Sequence, residues 1–177
     1  MDPKLNYGDD DPFEFRQAAD ASDLDEIRRL FMEYAGSLDI DLEFQKFDEE
    51  LGSLPGKYAP PDGRLILALV DGKPAGCIAL RKISGDICEM KRLYVRDDYK
   101  GLGLGKRLVS LILEEARKQA YSRIRLDTLS TMEAALALYD SFGFYDIEPY
   151  IYNPIAGARY LERELKAGIR KSKGVRL

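Results

Sequence analysis

Lys100-Gly101-Leu102-Gly103-Leu104-Gly105, with strand-like Leu93-Tyr94-Val95 ahead of it, is the stretch whose reading decides the fold. Glycines at alternate positions let the main chain approach a ligand closely and turn its amides outward. Beyond the turn, Leu104, Leu108, Leu111, Ile112 and Ala116 share one stripe, which predicts a helix over Leu104–Ala120. The first amides of such a helix have no internal partner, and its dipole is positive at that end. A strand that enters this turn and leaves as a helix suits an anion, a diphosphate above all.

Charge placement points the same way. Helix starts favour Asp or Glu, yet here the first turn carries Lys106 and Arg107, Lys100 precedes them, and no acid stands between Asp98 and Glu114. Each exposed cation at that end costs about 0.3–1 kcal/mol, which a bound anion reverses. The bland alternative is a flexible turn with ordinary surface lysines. Spacing excludes two nucleotide motifs. GxxxxGK[ST] fails because Arg107 follows Gly105-Lys106 and position 100 is Lys; GxGxxG fails because Lys106 stands at the third glycine.

Working outward, Phe13–Ala18 reads as a strand, and Ser22 with Asp25 caps a helix that Gly36 stops. A weaker helix spans Glu43–Leu51, and the Pro/Gly-rich 55–63 is a loop. Strands Arg64–Val70, Pro74–Ile83 and Asp86–Val95 form an antiparallel meander, turned at Asp71-Gly72 and Ser84-Gly85-Asp86. After the glycine turn come a strand at Arg123–Asp127, a helix at Met132–Phe142, and strands at Phe144–Ile147 and Ala158–Glu164. One α/β domain over 13–166 is expected, between a flexible lead-in at 1–12 and a basic tail at 167–177.

Composition narrows the chemistry. The chain has no histidine, which removes Ser-His and Cys-His nucleophilic machinery and HExxH zinc sites. Cys77 and Cys88 lie in apolar, strand-like settings and read as inert buried thiols, and no metal site is expected. The net charge of -4 argues against a nucleic-acid partner. The longest apolar run, Leu65–Val70, is too short to span a membrane, and the acidic start (Asp9, Asp10, Asp11) lacks a secretory h-region, so the cytoplasm is expected. Acid-base work falls to Asp, Glu, Tyr, Lys or Cys.

The chain resembles the GNAT superfamily of acyl-CoA-dependent N-acetyltransferases. The resemblance rests on Lys100–Gly105 after Leu93-Tyr94-Val95, and on Ala134-Ala135-Leu136-Ala137-Leu138-Tyr139 followed by Phe142-Gly143-Phe144. It spans nearly the whole chain. Lys100 departs from the family's usual Gln or Arg, and Met132 stands where many members carry asparagine. The resemblance implies an α/β (α+β) fold: a mixed, mainly antiparallel twisted sheet of about seven strands, flanked by about four helices and splayed at the cofactor site. It implies acetyl-CoA as donor and a small-molecule or protein amine as acceptor, and it is compatible with a homodimer. Leu93, Tyr94 and Val95 would meet the pantetheine arm. Lys100, Gly101, Leu102, Gly103, Leu104, Gly105 and Lys106 would hold the pyrophosphate.

Transfer to an amine needs a neutral nucleophile, a donor for the oxyanion and a proton for the departing thiolate. The resemblance makes Glu89 the candidate base, with burial expected to raise its pKa. The competing reading is a structural partner for Lys91, Arg92 or another cation. Tyr139 is the candidate acid, or a core residue on the stripe Met132, Ala135, Leu136, Tyr139, Phe142. A backbone amide near Leu93 or Val95 would serve the oxyanion. Asp39, Asp41, Glu43, Asp48, Glu49 and Glu50 either draw a cationic amine or form a solvated face. By resemblance, Tyr150 and Tyr152 line the acceptor pocket. A non-catalytic acyl-CoA sensor of the same fold is the alternative to an enzyme, and a ligand-free interaction domain leaves the cations around Lys100 unexplained.

Overall fold

The computed structural model describes residues 11–165. The expected basic tail and most of the expected lead-in lie outside them. Asp11 and Pro12 belong to the fold rather than to a flexible lead-in: Asp11 pairs with Arg107 at 2.6 Å, and the Pro12 carbonyl accepts the Asp71 amide at 3.2 Å.

The elements run β1 (Phe13–Gln17), α1 (Ala21–Leu38), a 3-10 turn (Glu43–Gln45), α2 (Phe47–Ser53), β2 (Arg64–Val70), β3 (Lys73–Ser84) and β4 (Ile87–Val95), then α3 (Leu104–Lys118), β5 (Arg123–Leu129), α4 (Glu133–Ser141), β6 (Tyr145–Asp146) and β7 (Ala158–Glu164). One seven-stranded sheet has the order β1-β2-β3-β4-β5-β7-β6. Every neighbouring pair is antiparallel except β4 and β5, which are parallel. The mixed, mainly antiparallel sheet expected from the sequence is the one found. No helix among the described residues is long and apolar enough to cross a membrane.

Alternation along the strands gives the sheet two apolar faces. Ile66, Ala68, Ile78, Leu80 and Met90 pack with Leu104, Leu108 and Ile112 of α3. Leu65, Leu67, Leu69, Cys77 and Ala79 pack with Ile27, Leu30 and Phe31 of α1 and with Tyr58. Covered on both sides, β2 is buried at every position, which explains why its sequence is a continuous apolar run rather than an alternating one. Each fully buried Leu or Ile contributes about 1.5–3 kcal/mol relative to exposure.

Local signals moved in three places. The cap of α1 is Asp20, whose carboxylate accepts the Asp23 amide at 2.8 Å, and Ser22 lies inside the helix. Gly36 does not stop α1; Asp39, in left-handed geometry at φ 51, ends it. The helix expected over Glu43–Leu51 is broken at Lys46, φ 55, into the 3-10 turn and α2. Side chains favour that break: Asp41 accepts the Glu43 amide at 2.9 Å, and Glu43 accepts the Asp48 amide at 3.2 Å.

Candidate active site

The site begins where β4 and β5 part. They exchange ladder pairs only at Ile87↔Arg123, Cys88↔Ile124 and Glu89↔Arg125, although β4 continues to Val95 and β5 to Leu129. On its other edge β4 carries a bulge. Ala79 pairs with Lys91 and Cys77 with Tyr94, so Arg92 and Leu93 stand against the single residue Ile78. Arg92 takes φ 60, a geometry that a non-glycine residue holds only where its surroundings fix it. Here Glu50 Oε2 accepts Arg92 Nε at 2.8 Å, and the guanidinium lies 5.2 Å from the Phe47 ring and 5.9 Å from that of Tyr34.

The bulge sets which backbone groups face the gap. The Arg96 amide donates to Ala75 O at 2.9 Å. Strand alternation then turns the Tyr94 backbone groups toward β3 and those of Leu93 and Val95 toward the side that β5 has left. The parted strands wall a cleft that opens to solvent. Met90–Leu93 form one wall and Leu126–Leu129 the other; Leu38, Ile40, Leu42 and Phe44 roof it, and Met132 and Tyr139 enter from the α4 side.

The glycine turn adjoins the end of β4. Gly101 (φ 80) and Gly103 (φ 84) are left-handed, and a Cβ on either would meet nothing within 4 Å. Gly105 lies in the helix, where a Cβ would be 3.7 Å from Leu138 and 3.9 Å from Val95. The Lys100 amide donates to Asp97 O at 3.2 Å and the Arg107 amide to Gly103 O at 3.1 Å. Between them, every amide from Gly101 through Lys106 is without an acceptor among the described residues, and Gly103 supplies no side-chain cap. This array of free donors fits a diphosphate. Leu102 is exposed and Leu104 buried, so these two lend the array their amides rather than their side chains.

The cations beside the turn are less free than the sequence spacing implied. Lys100 pairs with Asp97 at 2.5 Å, and Arg107 turns away to Asp11 and to the rings of Phe13 and Phe15, at 5.6 and 5.7 Å. Lys106 alone of the three is exposed without an ion pair among the described residues.

Tyr139 is 6% exposed and does two things at once: it packs on Phe144, with ring centroids 5.8 Å apart, and it lines the cleft. Its hydroxyl has no hydrogen-bond partner among the described residues. Burial holds its pKa well above the ordinary phenol value, so it stays a proton donor at neutral pH.

Glu89 departs from expectation. It is fully buried and does not line the cleft. Its Oε1 accepts Arg81 Nε at 2.8 Å and its Oε2 accepts the Tyr150 hydroxyl at 2.7 Å. Burial alone pushes the carboxyl up, but Lys91, Arg81 and the Tyr150 hydrogen bond outweigh it and hold the pKa below the usual carboxylate value. The expected rise is reversed. The cations it meets are Arg81 and Lys91, not Arg92. Tyr150 seals Glu89 rather than lining the cleft, and Tyr152 is 73% exposed outside it. The acidic 39–50 stretch presents no carboxylate to the cleft: Asp41 and Glu43 cap local amides, Glu50 holds Arg92, and the lining residues are Ile40, Leu42, Phe44 and Gln45.

Sequence reasoning passed over the polar pair that does line the cleft, Lys91 and Asp127. The signal was present in the alternation Glu89-x-Lys91 and Arg125-x-Asp127, but it became readable only once the parallel register was known.

An open, mostly antiparallel sheet that parts at its one parallel pair, beside a turn of free amides, is the architecture expected of N-acetyltransferases. The chain belongs to the Acetyltransferase (GNAT) family, whose sequence profile matches residues 24–144. It is 43% identical to an uncharacterized N-acetyltransferase of Schizosaccharomyces pombe over 145 residues, covering 81% of this chain and 89% of that protein. It is 34% identical to an uncharacterized N-acetyltransferase of Dictyostelium discoideum over 205 residues, covering 81% and 95%. Among solved structures it resembles the PaiA N-acetyltransferase of Thermoplasma acidophilum, determined in complex with coenzyme A. That likeness has a TM-score of 0.67 and 18% identity, and it covers 86% of this chain and 98% of the other, a likeness of fold.

Proposed function

We propose that the protein transfers an acetyl group from acetyl-CoA to a primary amine by direct attack, with donor and acceptor bound together. The observation that carries this reading is the run of free amides from Gly101 through Lys106 at the mouth of the split between β4 and β5. Gly101–Lys106 hold the pyrophosphate, with Lys100 and Lys106 adding positive charge. The gap-facing backbone of Leu93 and Val95 bonds the pantetheine arm, and Tyr94 keeps that strand on β3.

Acetyl-CoA supplies an activated acyl carbon and a thiolate leaving group. The acceptor nitrogen forms the C–N bond as C–S breaks. An ammonium acceptor sheds two protons in all, one made up at sulfur and one released to solvent. Tyr139, buried in the cleft and kept protonated, gives the sulfur its proton and is reprotonated from cleft water. A gap-facing amide of Leu93 or Val95 steadies the carbonyl oxygen. Glu89 is fully buried, lies outside the cleft lining and is made less basic by its cations, all of which disfavour direct proton abstraction. The reading therefore makes it a positioning residue, which fixes Lys91, Arg81 and Tyr150.

Calorimetry with acetyl-CoA and with coenzyme A tests the donor site, and thiol release across a broad amine panel tests transfer. Binding with turnover is expected. Absence of binding overturns the reading, and binding with no amine acetylated would make the protein an acyl-CoA sensor.

A further inference from the structure

The cleft holds a buried ammonium whose ion-pair partner, Glu89, is shared with Arg81. The Lys91 side chain is 6% exposed and lines the cleft, and its Nζ donates to the neutral Gln45 Oε1 at 3.1 Å. The nearest carboxylate oxygen, Glu89 Oε1, lies 3.6 Å away and already accepts from Arg81. Tyr150 takes the other Glu89 oxygen. Glu50, a further carboxylate that acts on Lys91, is taken by Arg92 at 2.8 Å and by the Tyr58 hydroxyl at 2.6 Å, with half-exposed Lys57 at 3.8 Å. Arg81, Lys91, Arg92 and Lys57 thus share Glu89 and Glu50. Burial, helped by the neighbouring Arg92 cation, holds the Lys91 ammonium below its ordinary pKa although Glu89, Asp127 and Glu50 pull it up. A charge left in that state is costly unless a ligand brings its opposite.

The opposite wall carries the complementary group. The last ladder pair is Glu89↔Arg125, so advancing both strands by two places Lys91 and Asp127 at matching positions on one sheet face, across the gap. Asp127 lines the same cleft and accepts from Asn153 Nδ2 at 3.0 Å through Oδ2. A cation on one wall and a carboxylate on the other form the complement of a zwitterion.

We propose that the acceptor is an amino acid, its carboxylate received by Lys91 and its ammonium group directed toward Asp127 before transfer. This rests on the acetyl-transfer reading above and names the substrate class of that site. It sets aside the alternative in which the acidic 39–50 stretch draws a cationic amine.

The test follows thiol release by the full chain with acetyl-CoA and the standard L-amino acids, their amides and the matching decarboxylated amines. Free acids are expected to be turned over at least about tenfold more efficiently than their amides, from loss of a charge-assisted hydrogen bond. Lys91→Met should raise KM for the acid by about 10- to 100-fold, with little change in kcat and an unchanged calorimetric affinity for coenzyme A. Amides or decarboxylated amines that match the acids, or no amino acid acetylated while coenzyme A binds, would overturn the inference. The acid-to-amide ratio of the unmodified protein decides the matter even if Lys91→Met does not fold. Failure of the unmodified chain to bind coenzyme A strikes the acetyl-transfer reading itself, which the calorimetry detects separately.

Discussion

The Glu50 carboxylate on α2 grips the Arg92 guanidinium at the β4 bulge, Nε to Oε2 at 2.8 Å, and so ties a helix beside the cleft to the strand that opens it. The two side chains are 4% and 3% exposed. Removing one partner leaves the other charge buried without compensation.

Glu50→Ala is therefore expected to cost about 3–5 kcal/mol of folding stability. The Tyr58 hydroxyl loses its acceptor in the same step. Urea unfolding measures the loss. Glu50→Ala unfolding at the wild-type midpoint would mean that the bulge is held by something other than this pair.

The same chemistry sets an acid limb. Burial pushes the Glu50 and Glu89 carboxyls up, but Arg92 at the first, and Lys91 and Arg81 at the second, more than reverse that. Both folded-state values lie below the ordinary 4.5, so the unfolded chain binds more protons in that window. The stability these groups contribute is fully present above about pH 4.5 and is lost as pH falls through the lower folded values. Urea midpoints should hold down to that point and then drop, and Glu89→Gln should flatten the drop. A wild-type advantage over Glu89→Gln that shrinks as pH rises from 4.5 to neutrality would instead mark a carboxyl raised by burial.

The three glycines of the turn are not equivalent. Gly101 and Gly103 sit at positive φ with open space where a Cβ would point, so the cost of Ala there is one of backbone, about 1–2 kcal/mol. A chain that relieves this strain also re-aims its amides. Gly103→Ala should then weaken coenzyme A binding by about tenfold or more, since charge-assisted bonds to an anion are lost. Gly105 is helical with ordinary contacts, so Gly105→Ala should keep or raise stability, by about 0.5–1 kcal/mol. Calorimetry and thermal unfolding of the pair decide it: equal losses at both positions would remove backbone geometry as the reason for the turn's glycines.

Much of the frame was open to reading because it is local. Arg64–Val70 and Ala158–Glu164 emerge with the bounds their composition suggested, and the turn at Gly101–Gly105 leads into α3 at Leu104 as its glycines and leucines required. What eluded the sequence depends on fine local geometry or on partners distant in the chain. Asp20 wins the cap over Ser22 because its carboxylate meets the Asp23 amide, a matter of one residue's geometry. Glu89 looked like a carboxyl raised by burial because Arg81 and Tyr150 arrive from another strand and a distant loop. Lys91 and Asp127 are 36 residues apart, and only the parallel register of β4 and β5 puts them on one cleft.

Tyr139 carries the sharpest test of the donor side. Its hydroxyl makes no hydrogen bond to the described residues, so Tyr139→Phe removes no folding interaction, and the ring remains to pack on Phe144. Stability and coenzyme A affinity should both be unchanged. If the phenol gives the departing sulfur its proton, turnover should fall by about 10²-fold or more, the usual scale for a lost general acid. Because the hydroxyl is deep in the cleft and its pKa is held high by burial, the wild-type rate should show no loss on the alkaline side attributable to Tyr139 until pH exceeds the ordinary phenol range. A fall in kcat with unchanged binding is the signature of a group used only in the transition state. An unchanged kcat would return Tyr139 to the core and leave the sulfur's proton to water.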